Sequence, residues 1–139
     1  MTRDLFKMIH SELIMQVQCI ENDLKVMYAA MKKGRFQSNF DTMSKANLGK
    51  IARELEALDH SDGFPELSER DYEVIDEIRD IRNYWCHQCY IDFVYIADDS
   101  QRERKFQEIA QRLHYDENRT YALMQKTEKM KLFILDKYR

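Results

Sequence analysis

Residues that break helices are scarce in this chain, which contains three glycines and one proline in 139 residues. Turns and strand boundaries draw heavily on these two residue types, so their scarcity favours long helices joined by few loops. Leu, Met, Lys, Glu and Gln fill the intervening segments, in agreement with their high helix propensity. The sequence therefore predicts an all-α fold, an antiparallel bundle of four to five helices forming a single domain over residues 1–139.

Apolar residues at three- and four-residue spacing mark the predicted helices. The first is expected to run from about Asp4 to Lys33 and to end at Gly34 as its C′ residue. Residues 35–43 are expected to form a connector that Phe36 and Phe40 anchor to the core. The second helix is predicted to cover residues 44–58.

The second half of the chain is predicted to contain two further helical segments separated by polar turns. Residues 59–65 form the clearest breaker, and a capping box at Ser68 opens a third helix that is expected to reach Ala97. Ser100 is predicted to cap the fourth helix. A break is expected near residues 115–118, after which a helical pattern continues to the end of the chain.

Charge and cysteine content narrow the classes of function. The net charge of −3 excludes a broad basic surface, although it allows a confined basic cleft. Cys19, Cys86 and Cys89 are odd in number and offer no disulfide framework, which is typical of a reducing compartment. The N-terminal residues lack an unbroken apolar stretch, and no segment approaches a membrane span. We expect a soluble cytoplasmic protein without a membrane partner.

Projection of the third helix at 100° per residue separates an apolar face from a polar one. The predicted core face comprises Val74, Ile75, Ile78, Ile81, Trp85, Cys86, Cys89, Phe93 and Ile96. The polar face comprises Asp76, Asp80, Asn83 and His87, with Tyr72, Tyr90 and Val94 beside it. One helix with both an apolar face and a cluster of functional polar residues is predicted to be buried on both sides. The bundle covers the apolar face, and a second copy of the chain is the simplest partner for the polar face.

Arg82 lies within the apolar arc, 140° from His87 on a straight helix. The two side chains converge only if the helix is distorted, if the long arginine wraps round, or if a partner chain supplies one of them. This geometry favours a site shared by two chains. Taken alone, Arg82 is explained as well by snorkelling, and His87 by a surface hydrogen bond to Asn83 or Asp80.

The stretch Arg82-Asn83-Tyr84-Trp85-Cys86-His87 resembles the Arg-X4–6-His motif of the HEPN superfamily. The resemblance implies an all-α bundle that dimerises around two such motifs, and a metal-independent endoribonuclease of toxin or antiphage-defence type. A related subgroup of toxins carries a tyrosine two residues after the histidine, which a nucleotidyltransferase antitoxin modifies. Here that position is Cys89, and tyrosine follows one residue later, at Tyr90.

The resemblance implies that Arg82, Asn83 and His87 are catalytic and that Arg79, Asp80 and Tyr90 bind substrate or support the site. A histidine is suited to acid–base work on the 2′-hydroxyl and the 5′-oxygen of RNA, and a guanidinium to the phosphate. No cofactor is expected, and the expected products end in a 2′,3′-cyclic phosphate.

Two other classes of function remain open at this point. The first is a catalytically silent helical bundle that binds a partner protein, such as a nucleotidyltransferase antitoxin, through the same face. The second is a metal-binding bundle, since Cys86 and Cys89 are three residues apart. A structural zinc site usually needs two such pairs, and the sequence lacks the second, so we expect core thiols and no metal.

Overall fold

The computed structural model describes residues 1–138, and all regular structure within them is helical. The predicted all-α class is confirmed. There are six helices in this part of the chain: α1 (Arg3–Met31), α2 (Phe36–Met43), α3 (Leu48–His60), α4 (Glu69–His87), α5 (Ile91–Val94) and α6 (Asp99–Lys137). The two additional helices are the short α2 and α5, which occupy segments predicted to be a connector and the end of a longer helix.

Helix α1 ends slightly earlier than predicted. Its last residue is Met31, and Lys32 already has an extended backbone while its N–H donates to the carbonyl of Tyr28. Gly34 adopts a positive φ of 107°, but it lies in the turn that follows the cap, so the prediction of Gly34 as the C′ residue is wrong. The Asn39 side-chain amide donates to the carbonyls of Ala29, Lys32 and Lys33, which caps the helix end.

The predicted connector over residues 35–43 is wrong, because most of it forms α2. Phe36 and Phe40 do not anchor this segment in the core as expected. Their rings stack on each other with centroids 6.1 Å apart, and Phe36 is exposed. The buried residues of α2 are Asn39 and Met43, so a side-chain amide and one buried apolar residue hold a helix that hydrophobic periodicity alone does not reveal.

Helix α3 begins at Leu48 instead of near Ser44, because the Asn47 side chain accepts a hydrogen bond from the Lys50 N–H and forms the N-cap. Leu48, Ile51 and Leu55, which follow the three- and four-residue spacing that predicted this helix, are fully buried. The helix continues past the predicted boundary to His60, so the connection to α4 begins two residues later than predicted and covers residues 61–68.

Asp59 joins the end of α3 to the beginning of α4. Its buried carboxylate accepts hydrogen bonds from the backbone N–H groups of Glu66 and Leu67 and from the Tyr72 hydroxyl, at 2.7, 3.0 and 2.5 Å. Burial, followed by the hydrogen bond to Asp59, raises the pKa of Tyr72 well above its ordinary value. The phenol therefore stays a donor throughout the neutral pH range, and the α3–α4 turn is closed by one side chain.

Replacement of Asp59 by alanine is expected to lower the free energy of unfolding by about 2–4 kcal/mol, since three donors lose a buried charged acceptor. Urea denaturation followed by circular dichroism measures the change. Asp62→Ala is the matched control, because Asp62 is exposed and accepts one hydrogen bond, from the Phe64 N–H. Equal stability of the two variants would contradict the role assigned to Asp59.

The capping box that opens α4 is confirmed: Ser68 accepts from the Asp71 N–H, and the Asp71 carboxylate accepts from the Ser68 N–H. The predicted extension to Ala97 is wrong, since α4 ends at His87. The backbone N–H groups of Gln88 and Cys89 both donate to the Tyr84 carbonyl, which ends the regular helical pattern.

A hydrogen bond from α1 accompanies this break. His10 Nε2 donates to the Trp85 carbonyl at 2.7 Å, and the Cys89 thiol contacts the same oxygen at 3.5 Å. The chain then turns into α5, where Phe93 is buried with its ring against Phe6 of α1 and Phe106 of α6. The end of α4 is thus fixed by residues distant in sequence.

Helix α6 is continuous from Asp99 to Lys137, and the predicted break at residues 115–118 does not occur. Its N-cap is Asp98, which accepts from the Gln101 N–H, and not Ser100. Two of the four residues that suggested a break, Asp116 and Glu117, have hydrogen-bond partners on other helices. Trp85 Nε1 donates to Asp116, and Gln16 donates to Glu117.

The two longest helices, α1 and α6, lie side by side and run in the same direction, so this pair departs from the antiparallel arrangement that the sequence predicted. Their polar contacts ascend together along both helices: Arg3 with Glu103, Gln16 with Glu117, and Asp23 with Lys131. Helix α4 runs opposite to α6, because Tyr84 contacts Arg112 whereas Glu77, earlier in α4, pairs with Arg119, later in α6. No helix of residues 1–138 is both long and apolar enough to cross a membrane.

Candidate functional site

The outer surface of α4 carries the polar face that the helical projection predicted. Four of its residues are exposed to solvent: Asp76, Asp80, Asn83 and His87. On the opposite side, Val74, Ile75, Ile78, Ile81 and Trp85 are buried. The projection fails for Cys86, which is exposed although it was placed in the core, and for Tyr72, which is buried against Asp59.

Arg82 is half-buried, and its guanidinium turns towards the polar face. Its Nη1 atom donates to Asn83 Oδ1 at 3.3 Å. Asn83 lies one helical turn before His87, so its amide stands between the arginine and the histidine along the surface of the helix. Part of the 140° separation is therefore overcome by the long arginine side chain, without distortion of α4 at this point.

His87 is the last residue of α4, and its side chain is exposed. The surface hydrogen bonds to Asn83 or Asp80 that the sequence left open are not formed. Within residues 1–138, the His87 ring has no hydrogen-bond partner and no ring contact. Both imidazole nitrogens are therefore accessible to a substrate or to another protein chain.

The three residues predicted to support the site occupy different surroundings. Arg79 lies 3.9 Å from Asp76 and 4.0 Å from Asp80, and its aliphatic stem runs beside Gly49 of α3. Asp80 is strongly exposed next to Asn83 on the same face. Tyr90 follows the helix break, and its ring packs against Phe6 and His10 of α1 at centroid distances of 5.8 and 5.5 Å. Asp80, Asn83 and His87 therefore lie on the same exposed face of α4, whereas Tyr90 packs against α1.

Trp85 belongs to the core and is 1% exposed. Its indole N–H donates to the buried carboxylate of Asp116 at 2.8 Å, and Arg112 lies 3.6 Å from the same carboxylate. Trp85 is therefore a packing residue that joins α4 to α6. The indole is inaccessible for stacking on a nucleic-acid base.

Sequence reasoning missed a basic and aromatic pair beside the motif. The guanidinium of Arg112, which is half-exposed, lies 3.6 Å from the centroid of the Tyr84 ring. The Tyr84 hydroxyl donates to Asp92 at 2.9 Å, and burial together with this bond raises the pKa of Tyr84 to about 12. Arg112 lies on another helix, and only the packing of α6 on α4 brings it next to the motif.

Exposed apolar side chains follow His87 directly in the chain. They form the α5 patch, which consists of Tyr90, Ile91, Val94 and Tyr95. Tyr95 is 82% exposed and Ile91 is 54% exposed, which are high values for two large apolar side chains four residues apart in the chain. A patch of this kind next to a polar face is typical of a surface that contacts another macromolecule.

The three cysteines do not form a metal site in the part of the chain that is described. No group of three or more histidine, cysteine or acidic side chains with metal-binding geometry occurs among residues 1–138. Cys19 and Cys86 are exposed, whereas Cys89 is buried below Trp85. Burial raises the pKa of the Cys86 thiol, and it raises the pKa of Cys89 to about 11.

Alkylation with iodoacetamide near neutral pH is therefore expected to modify Cys19 readily, Cys86 more slowly, and Cys89 only after unfolding, because the thiolate is the reactive species. Peptide mass spectrometry of the folded and the urea-unfolded protein measures each position. In urea all three thiols should react at comparable rates. Rapid modification of Cys89 in the folded chain would contradict its burial.

Comparison with known proteins provides no relative for this chain. No protein-family model, no curated protein and no solved structure matches it.

Proposed function

We propose that this protein is a metal-independent endoribonuclease of toxin or antiphage-defence type, with its site on the exposed face of α4. The observation that carries the proposal is the hydrogen bond from Arg82 to Asn83, one turn before an exposed His87 without an intramolecular partner. These side chains provide a permanent cation, an amide and an imidazole on one surface. Asn83 and His87 are exposed to solvent, and Arg82 is half-buried with its guanidinium hydrogen-bonded to Asn83.

The proposed chemistry uses the nucleophile that RNA itself contains. The 2′-hydroxyl attacks the adjacent phosphorus and the bond to the 5′-oxygen breaks, leaving a 2′,3′-cyclic phosphate and a free 5′-hydroxyl. His87 transfers a proton at one of these two oxygens. Arg82 neutralises the phosphate through paired N–H donors, while Asn83 orients the guanidinium through its side-chain oxygen.

A second copy of the chain is part of the proposal. One chain supplies a single imidazole, whereas the reaction needs one proton removed and another delivered. A two-fold axis near His87 would place two histidines and two arginines around one phosphate. The α5 patch begins three residues after His87 and gives such a dimer apolar surface to bury.

The test is to incubate the purified protein with RNA in excess chelator and to characterise the product ends. Cleavage that leaves 2′,3′-cyclic phosphate and 5′-hydroxyl ends is expected, and it should persist when the chelator concentration is raised. An absence of cleavage, or cleavage that requires an added divalent metal, would overturn the proposal.

The dimer is tested separately by replacing Ile91 and Val94 with aspartate. The charged side chains are expected to convert a dimer into a monomer and to abolish cleavage, because buried unpaired carboxylates destabilise an interface. Sedimentation equilibrium measures the mass. Leu132→Asp on α6 is the matched control, since Leu132 is 57% exposed and lies on a different helix. A wild-type monomer that cleaves RNA would contradict the shared site.

The α5 patch also favours a second candidate function, in which the same face binds a partner protein and performs no chemistry. Such a partner, for example a nucleotidyltransferase antitoxin, would cover Tyr95 and Ile91 beside the polar face. The two functions differ in their dependence on one side chain. A silent module retains partner affinity in His87→Ala, whereas the nuclease loses its activity.

A further inference from the structure

The outward-facing surface of α1 carries apolar side chains at helical spacing. Leu5, Met8, Met15 and Cys19 are exposed, with Glu12 at the remaining position of the same three- and four-residue series. Met8 is 67% exposed, and the Cys19 and Met15 sulfur atoms lie 3.7 Å apart. We call these five residues the α1 stripe. This spacing is the one that a second helix packed along α1 would match.

A shallow cleft lies at the N-terminal half of the stripe. Its volume is about 320 Å³, and it is lined by Leu5, Met8, Ile9, Ser11 and Glu12. Methionine side chains are flexible and polarisable, so a surface formed by Met8 and Met15 adapts to the side chains of an incoming helix. All residues that line the cleft are on α1, whereas the polar face described above is on α4.

The centre of the stripe is acidic. Glu12 has no ion-pair partner among the described residues. One turn further along α1, Gln16 is 2% exposed and donates from Nε2 to Glu117 at 2.9 Å, while its Oε1 atom has no hydrogen-bond partner within residues 1–138. Gln16 and Glu117 belong to the contact between α1 and α6, so Glu12 is the one carboxylate among the five residues of the stripe. A cation is the chemical group that this arrangement favours.

We infer that the α1 stripe is a docking site for an amphipathic helix of another protein, with apolar residues along one face and a lysine or arginine opposite Glu12. A second copy of this chain fits less well. Leu5 and Cys19 lie equally far from Glu12, so two antiparallel copies of the stripe would place the two Glu12 carboxylates against each other. Like charges in a partly apolar interface are unfavourable.

This docking site is independent of the proposed nuclease site. The stripe is on α1, whereas Arg82, Asn83 and His87 are on α4. Substitutions in the stripe are accordingly expected to leave RNA cleavage unchanged.

The experiment uses two fluorescent helical peptides of three heptads, with leucine at the a and d positions and either arginine or glutamate at the central a position. Fluorescence anisotropy measures their binding to the full chain at concentrations where the peptides are monomeric. The wild-type protein is expected to bind the arginine peptide about tenfold more tightly than the glutamate peptide, as a single partly desolvated ion pair provides. Glu12→Lys is expected to reverse the preference.

Met8→Asp is expected to weaken binding of both peptides by about tenfold or more, because it places a charge within the apolar contact. Leu132→Asp is the control and should bind as the wild type does. Three results would overturn the inference: equal affinity for the two peptides in the wild type and in Glu12→Lys, no binding of either peptide, or a self-association that Met8→Asp abolishes. The last result would assign the stripe to a second copy of the chain.

Discussion

His87→Ala is expected to lower the rate of RNA cleavage by about 10²–10⁴-fold, the range that a general acid–base group contributes. Stability should change little, because the ring is exposed at the end of α4 and has no partner within the described residues. Cleavage rates under single-turnover conditions and thermal unfolding of both proteins measure the two effects. His114→Ala is the matched control, since His114 is another exposed histidine on a helix.

Arg82 provides a second test of the same site. Arg82→Ala should reduce cleavage to a similar degree, and Arg82→Lys should recover little of the loss, because an ammonium cannot make the paired hydrogen bonds of a guanidinium. Arg104→Ala is the control for loss of an exposed arginine. Full activity of either His87→Ala or Arg82→Lys would contradict the assigned roles.

Mixing the two inactive variants shows whether the site is shared. In the proposed shared site two histidines and two arginines surround one phosphate, so a dimer of one Arg82→Ala chain and one His87→Ala chain keeps one arginine and one histidine at that phosphate. Co-refolding the two proteins should then restore part of the wild-type rate. No restoration is expected if Arg82 acts with His87 of its own chain, which the hydrogen bond from Arg82 to Asn83 allows.

Local patterns in the sequence predicted those elements that local interactions determine. The capping box at Ser68 depends on neighbouring residues alone, and so does the three- and four-residue apolar spacing that predicted α1 and α3, and both features are present. Helix α2 escaped prediction because Asn39 holds it through hydrogen bonds to carbonyls at the end of α1. Periodicity carries no signal for such a contact.

The candidate site likewise has one part that local sequence patterns predict and one part that long-range contacts determine. The exposed face that holds Asn83 and His87 was predictable, since both lie within a regular part of α4. The end of that helix was not, because His10 on α1 donates to the Trp85 carbonyl where the helical pattern ends. For this reason Tyr90 packs on α1 and lies outside the projected face. Long-range hydrogen bonds decide which residues surround the motif.

Trp85 links this site to the stability of the bundle, and its replacement is the other substitution with a large expected effect. Trp85→Ala is expected to lower the free energy of unfolding by about 3–5 kcal/mol, the usual cost of removing a large buried aromatic side chain. The indole contacts Phe6 of α1 and donates to Asp116 of α6, so both long helices lose a partner on α4. Urea denaturation gives the change.

Trp85→Phe separates the packing contribution from the hydrogen bond. The phenyl ring keeps most of the apolar contact but leaves Asp116 without its indole donor, at an expected cost of about 1–3 kcal/mol. Arg112 Nε, 3.6 Å from that carboxylate, offsets part of the loss. A double-mutant cycle with Asp116→Asn isolates the pair, and a coupling energy near zero would show that the hydrogen bond does not stabilise the fold.

Because Trp85 lies between Asn83 and His87 in the chain but faces the core, Trp85→Phe should retain RNA cleavage under conditions where the variant remains folded. Loss of RNA affinity with unchanged stability would instead assign Trp85 to base stacking.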